Sequence, residues 1–331
     1  MISQNAKQQT AGKYSYTRYD FLGRITEVGE LQHNTAMSDV IAKDTTGLEN
    51  WYLGKQNRSQ ITYTVYDAPN INLVANSGIT NQQGMGTSRK RVVASFYKKG
   101  TLNANVPLAS YDHATHYQYD INGNVQTLWQ ENRLLYDYDN NNQGIRRIDY
   151  NYDLVSGKVN RVIYQKDKGD QFLHKYEYDA ENRLVAAFTS RDALIWQQQA
   201  TYQYYLHGPL ARTELGQYKV QGLDYAYTLQ GWMKGINSHF ADSSKDMGGD
   251  AWQDVNNPRA WSSKDVFAFS IGYYTGDFKP IGGSSATAFG LSYTAPTTLA
   301  SGIQLYNGNI SYTTLSLSKI GNGALTGYSY Q

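Results

Sequence analysis

The sequence predicts an all-β chain, in which tyrosine-rich hairpins stack side by side into a long curved or spiralling antiparallel sheet. Three observations carry this expectation. Tyr occurs 30 times in 331 residues, against 9 Phe and 6 Trp. Gly also occurs 30 times and Pro only 6, a mix that suits short strands and tight turns better than long helices. Most telling, one pattern recurs: a Tyr-rich strand, an Asp, a short spacer, a Gly or Asn, then a polar residue followed by an apolar one.

Four copies are plain: Tyr16 to Asp20 with Gly23-Arg24-Ile25, Tyr117 to Asp120 with Gly123-Asn124-Val125, Tyr150 to Asp153 with Gly157-Lys158-Val159, and Tyr176 to Asp179 with Asn182-Arg183-Leu184. The copy at Asp153 has one residue more before its glycine. Weaker copies follow at Tyr202 to Gly208, Tyr225 to Gly231 and Tyr306 to Ile310. Tyr150, Tyr176 and Tyr202 are 26 residues apart in turn, and Tyr225 follows after 23. That interval fits two strands and two turns.

Residues two apart in a strand share a side, so each Tyr-x-Tyr pair builds an aromatic face. The Asp ends the strand, because its carboxylate can accept backbone N–H groups a few residues on, and Gly or Asn tolerates the left-handed backbone at the far side of the turn. Arg24 to Val28, Lys158 to Val162 and Arg183 to Val185 then suit a strand pairing back. A single hairpin is marginal, so the copies are expected to share one sheet. A buried Tyr brings a hydroxyl that needs a partner, so an interior built of Tyr should be laced with hydrogen bonds.

Composition excludes several classes. Lys plus Arg at 30 against Asp plus Glu at 28 leaves +2, giving no bulk attraction to nucleic acid or an anionic membrane. Cysteine is absent, which removes disulfides, thiolate metal sites and thiol nucleophiles. No apolar run follows Met1 to Gly12, and no stretch of about 18 apolar residues occurs anywhere, so no signal peptide or transmembrane segment is expected. The ending, Gly327 to Gln331, reads as the opening strand of a further unit, and a piece of a longer polypeptide is expected.

The motif Tyr-x-Tyr-Asp-x-x-Gly-Arg, nearly entire from Tyr16 to Arg24 with one extra residue before Tyr19, resembles the Rhs or YD-repeat family of large secreted and surface bacterial proteins. The runs from Arg147 through Asn160 and from His207 through Trp232 are similar to the form common in Bacteroidetes-type members. The resemblance is strongest from Tyr111 to Asn237 and looser over Tyr14 to Gly100 and after His239. It implies a spiralling β-sheet shell that encloses a cargo polypeptide, often a toxin, which follows the repeats, and it implies a secreted or cell-surface location. Complete members self-cleave at an Asp-Pro-x-Gly type motif. Pro69, Pro107, Pro209, Pro258, Pro280 and Pro296 all lack a preceding Asp, so that chemistry is not expected here.

Four regions follow: a degenerate repeat region over 1–110, a regular one over 111–238, a loop-rich insertion with short strands over 239–302, and a resumed, truncated repeat over 303–331. Within the insertion, Val266 to Tyr273 and Phe289 to Tyr293 read as strands bounded by Gly. Two such segments support an outer-membrane barrel poorly.

Candidate chemistry is thin. His113 and His116 beside Asp112 could meet one metal on a helix, but a strand sends them to opposite sides. Asp137, Asp139 and Asn141 imitate a calcium loop, yet the glycine, Gly144, comes two residues late and Ile148 stands where the closing Glu belongs. Gly282-Gly283-Ser284-Ser285 lacks a nucleophile elbow, and Ser156-Gly157-Lys158 lacks a phosphate-loop glycine upstream. Arg89-Lys90-Arg91 and Arg146-Arg147 are too short to read nucleic acid. No catalytic, cofactor-binding or metal residue is assigned, no cofactor is expected, and the chain is read as non-enzymatic.

The leading expectation is a structural shell segment whose partners are the remainder of a longer Rhs-type chain and an encapsulated toxin domain. The alternative is an adhesive, carbohydrate-binding array, with Trp51, Trp129, Trp196, Trp232, Trp252 and Trp261 and the many Tyr rings stacking on glycans. The Tyr positions follow the repeat instead of clustering, which favours rings packed on the sheet wall.

Overall fold

The computed structural model describes residues 1–33, 35–53, 57–67, 88–101, 111–135, 144–238, 241, 246–250, 256, 259, 261–274, 276–279 and 305–330. Two compact units are present, Met1–Phe172 and Leu173–Gln331. Both are all-β and antiparallel.

The first unit contains β1 (Ile2–Ser3), β2 (Lys13–Tyr19), β3 (Ile25–Gln32), β4 (Arg58–Tyr66), β5 (Val92–Lys98), β6 (His113–Tyr119), β7 (Val125–Asn132), β8 (Ile145–Tyr152) and β9 (Val159–Tyr164). Each strand pairs with the next. Three short helices accompany them: α1 (Ala6–Thr10), α2 (Asp39–Lys43) and α3 (Thr45–Leu53). The second unit repeats the arrangement with β10 (Phe172–Tyr178), β11 (Leu184–Ser190), β12 (Gln197–Tyr204), β13 (Leu210–Leu215), β14 (Gln221–Tyr227), β15 (Met233–Ile236), β16 (Phe267–Gly272), β17 (Tyr312–Leu317) and β18 (Leu325–Ser329). Here too each strand pairs with its successor.

The expected turn chemistry is present in each plain copy. The Asp20 N–H donates to Arg24 O at 2.9 Å and Gly23 N–H donates back to Asp20 O at 3.0 Å. The same pair of bonds closes Asp120 to Asn124, Asp153 to Lys158 and Asp179 to Arg183, the Asp153 turn spanning one residue more. Gly23 has φ +78° and Asn182 φ +62°, a left-handed conformation that glycine takes freely and asparagine tolerates. In the weaker copies Tyr205 and Thr228 take the Asp position, and Gly208 and Gly231 supply the left-handed residue.

A feature beyond the motif is a bulge in each of these hairpins. Tyr19 sits opposite Ile25 while Arg18 sits opposite Glu27, leaving Thr26 unpaired. Tyr66, Tyr119 and Tyr152 repeat the offset in the first unit, and Tyr178, Tyr204 and Tyr227 repeat it in the second. The extra residue lies on the strand leaving the turn and lets a tight turn join a twisted ladder. Tyr66-Asp67 is a copy that the motif search passes over, because its returning strand begins only at Val92; the N–H of Asp67 still donates to Arg91 O at 3.1 Å.

Other segments differ from expectation. The chain between β3 and β4 folds as α2 and α3, which the repeat pattern does not announce. At Tyr306 to Ile310 the turn is present, with Gly308 at φ +88°, but β17 starts only at Tyr312. The closing segment contains β18, which pairs antiparallel with β17. Val266 to Tyr273 contains β16, whereas Phe289 to Tyr293 lies outside the described residues.

The core is small and aromatic. Tyr14, Tyr16 and Leu31 pack with Trp51 and Tyr52 of α3, while Ala94, Phe96, Tyr111 and Ala114 form a second cluster. Turn tips run the other way. In five of these turns the residue after the first position is a large apolar one facing water: Phe21 is 93% exposed, Ile121 88% and Leu154 88% in the first unit, and Leu206 and Leu229 are as open in the second.

Candidate functional site

The most regular arrangement of side chains is a latch between neighbouring hairpins. At the start of each returning strand the ladder to the next strand has not begun: β3 first pairs with β4 at Glu27 and Tyr63, leaving the Ile25 carbonyl without a ladder partner. Tyr66 at the end of β4 fills that vacancy, its hydroxyl donating to Ile25 O at 2.9 Å. Tyr119 does the same for Val92 at 2.6 Å, Tyr152 for Val125 at 2.9 Å and, in the second unit, Tyr204 for Leu184 at 2.8 Å. Where the preceding turn ends in Arg, its guanidinium covers the same ring: Arg24 over Tyr66 at 4.4 Å, Arg91 over Tyr119 at 5.4 Å and Arg183 over Tyr204 at 4.7 Å. One Tyr thus ties two hairpins.

The turn carboxylates are held in their charged form. Desolvation opposes ionisation of Asp20 and Asp179, but hydrogen bonds from the backbone and Nε of Arg24 and of Arg183 outweigh it and lower both pKa values. Asp120 behaves alike, its desolvation overcome by Asn124. Asp153 is lowered by the Ser156 N–H and hydroxyl.

Behind the strands the buried face carries hydrogen-bonded polar groups. Glu27, 2% exposed, accepts from Tyr16 Oη at 2.7 Å, Tyr52 Oη at 3.0 Å and Arg58 Nη1 at 2.6 Å. Burial and this carboxylate raise the Tyr16 pKa, keeping the phenol a donor. Glu131 repeats the theme with Tyr111 at 2.8 Å and His116 at 3.3 Å. In the second unit Lys234 reaches both oxygens of Asp277 at 2.8 and 3.0 Å, and burial pushes its pKa down. The hydrogen-bonded interior expected of buried tyrosines is therefore realised at Tyr16, Tyr52 and Tyr111.

The densest charge cluster surrounds Arg212 on β13, 1% exposed. Its guanidinium donates to Glu214 at 3.3 Å, to Asp224 on β14, to Asp250 and, at 3.2 Å, to Ser262. Arg259 donates to Gly248 O and lies 3.6 Å from Asp224. Burial pushes Asp224 up to about 6 and Asp265 up to about 8, with neighbouring carboxylates adding to the latter. Among the described residues no three His, Asp or Glu side chains are arranged to hold a metal ion.

The sequence candidates disperse. His113 and His116 lie on β6, where His113 stacks on Tyr97 and His116 is buried against Glu131 and Phe96. Asp112 accepts hydrogen bonds from Lys98 Nζ and the Lys99 N–H. Ser156, Gly157 and Lys158 form a hairpin turn. Arg91 covers Tyr119 and Arg147 pairs with Asp149. Trp51 and Trp129 are buried, Trp232 packs on Tyr273 and Trp261 is open to solvent. The calcium-like stretch up to Gln143, Gly282 to Ser285 and Trp252 lie outside the described residues. A polar cleft of about 220 Å³ over β7 to β9 is lined by Gln126, Thr127, Arg147, Asp149, Asn151 and Lys166. Sequence reasoning missed the Arg212 cluster, whose members are too far apart along the chain to make a motif.

These features define an antiparallel hairpin-repeat protein whose recurrent side-chain pattern is structural. No protein-family model matches the chain, and no curated protein matches it. Among solved structures it is similar to a chain of the Tc holotoxin pore of Photorhabdus luminescens, in a mutant form, over 97% of its own length and 14% of that chain's, with 11% identity and a TM-score of 0.36. It is also similar to a porin-like protein from Bacteroides uniformis, over 68% of this chain and 81% of that one, with 10% identity and a TM-score of 0.29. Superpositions this loose bear no weight in assigning a function. No helix among the described residues is long and apolar enough to cross a membrane.

Proposed function

We propose that this chain is a non-catalytic wall segment of an Rhs/YD-repeat type shell, part of a longer secreted or cell-surface polypeptide that encloses a toxin or other cargo domain. The observation that carries the reading is the latch: the same phenol-to-carbonyl bond recurs at Tyr66, Tyr119, Tyr152 and Tyr204, so the conspicuous repeat residues are spent on joining hairpins. The turn aspartates are likewise consumed by their own backbone and by Arg24 and Arg183. A catalytic role for these carboxylates would need them free to exchange protons near neutral pH, and their lowered pKa values oppose that.

In this reading residues 1–110 and 111–238 are consecutive stretches of wall, 239–302 is an insertion and 303–331 resumes the wall. The glycan-binding alternative needs a shared aromatic platform, and of the described tryptophans Trp51 and Trp129 are buried and Trp232 packs on Tyr273.

The test is to sequence the coding region flanking this segment and to image the full-length product by electron microscopy. Further hairpin repeats, a downstream domain of unrelated sequence and a hollow particle with density inside are expected. A full-length product that is solid and carries no flanking repeats would overturn the proposal.

A further inference from the structure

The Arg212 cluster does more than fill the interior of the second unit, because it fastens a separate stretch of chain to the wall. Arg212 and Glu214 come from β13, Asp224 from β14 and Lys219 from the turn between them. Asp246, Asp250, Arg259, Ser262 and Asp265 lie in the sequence between β15 and β16. That stretch is seated closely. Asp246 caps the N–H groups of Gly248, Gly249 and Asp250 at 2.7, 3.1 and 2.7 Å. A Cβ on Gly222 would collide with Arg212 and Asp250, and one on Gly248 with Asp224 and Arg212.

We infer that the segments 246–250 and 261–265 act as a proton-dependent strap, held against β13 and β14 in mildly acidic solution and loosened as the solution becomes neutral to alkaline. The charges do not balance. Among the described residues Glu214, Asp224, Asp246, Asp250 and Asp265 face Arg212, Arg259 and Lys219, five carboxyls against three cations. Two carboxylate oxygens, Asp250 Oδ2 and Asp265 Oδ2, are buried with no hydrogen-bond partner among the described residues, while Gln221 Nε2 donates to the other Asp265 oxygen at 3.1 Å. A proton on either oxygen removes a buried charge and creates a donor. Asn237 and Tyr205, the remaining polar neighbours of Asp224, stay uncharged in this range; Asn237 receives the Asp224 N–H at 3.0 Å.

The sign follows from linkage. Burial raises the pKa values of Asp224, Asp250 and Asp265 from the ordinary Asp value, so the docked strap binds protons that the released strap gives up. Docking therefore weakens progressively as pH rises from about 4 towards about 8, the values bounding the free and the most shifted carboxyl. Glu214 runs the other way. Its burial would raise its pKa, but Lys219 and Arg212 lower it, so its contribution is lost only below the ordinary Glu range. Docking should be tighter at pH 5 than at pH 8.

The experiment is hydrogen–deuterium exchange on the whole chain at pH 5 and pH 8, corrected for intrinsic exchange, comparing peptides that cover residues 246–250 and 261–265 with peptides from β11 and β12. Protection of the strap should fall by about tenfold or more between pH 5 and pH 8, each unit of pKa shift being worth a factor of ten, while β11 and β12 stay constant. Asp265→Asn, which is neutral at both pH values, should raise strap protection at pH 8 and flatten the profile. Equal wild-type protection at both pH values would overturn the inference, whether or not the variant folds. So would an Asp265→Asn chain that folds and keeps the full wild-type pH dependence.

Discussion

The Tyr204 hydroxyl donates to the Leu184 carbonyl at 2.8 Å while Arg183, one residue earlier, lies 4.7 Å over the Tyr204 ring. Two adjoining residues of one hairpin are thus engaged by a single side chain of the next. Tyr204→Phe keeps the ring contact and leaves the carbonyl without its donor. It should lower unfolding free energy by about 0.5–1.5 kcal/mol, the net worth of a neutral hydrogen bond, read from urea denaturation. Tyr204→Leu should cost more than Tyr204→Phe, because the cation–π contact goes as well. Equal effects would show that the guanidinium contributes nothing.

Asn182 is the one plain turn in which the left-handed position is not glycine. Asn182→Gly should be neutral or slightly stabilising. Asn182→Val should cost about 1–2 kcal/mol, since a β-branched residue is forced into the left-handed region. Thermal melts of the two variants check the order.

Glu27 holds Tyr16, Tyr52 and Arg58 together in the interior. Glu27→Ala should destabilise by about 3–5 kcal/mol, because it abandons a buried guanidinium without its countercharge. Gly29 lies beside the same phenol, and a Cβ there would come 2.7 Å from Tyr16 Oη, so Gly29→Ala should also destabilise. Denaturation followed by near-ultraviolet circular dichroism reports both, through the tyrosine signal.

Acid should loosen the turns. Asp20, Asp120, Asp153 and Asp179 have lowered pKa values in the folded chain, so their contribution is complete above the usual carboxyl range and is lost as pH falls through the folded values. Melting temperature should therefore drop on acidification below about pH 4, a range bounded by the ordinary Asp pKa. Replacing the four residues with Asn, which retains an acceptor without a titrating charge, should reduce the drop.

The apolar turn tips should be dispensable for folding. Phe21→Ser, Ile121→Ser and Leu154→Ser together should change stability by no more than about 0.5 kcal/mol per site, as these side chains bury almost nothing. The triple variant should elute earlier from a hydrophobic-interaction column than the parent. A large loss of stability would mean that the tips are covered in the folded protein.

The hairpin turns could be read in advance because their chemistry is local. Asp20, Gly23 and Arg24 lie within five consecutive residues, and the bonds that close the turn run among them. The copy at Tyr66 could not be read in that way, since its returning Arg91 stands 24 positions beyond Asp67, although the closing bond is the same. The Arg212 cluster was hidden for a like reason: Asp224, Asp250 and Ser262 are 12, 38 and 50 residues away. The helices α2 and α3 went unannounced because α3 takes its place by burying Trp51 and Tyr52 against Tyr14, Tyr16 and Leu31, contacts that exist only once the sheet is formed.

By itself the sequence determined the all-β class and the position of the tight turns, because strand alternation, carboxylate capping and left-handed glycine act between near neighbours. Only the tertiary structure decided what the tyrosines do. A phenol at one strand's end reaches a carbonyl 20 to 41 residues back, and which carbonyl is vacant depends on where the ladder between two strands begins. The same holds for the buried charges: whether Asp224 or Asp265 keeps its proton depends on burial and on neighbours brought in from distant segments. Those quantities belong to the folded arrangement, since desolvation and Coulomb forces act through space and not along the chain.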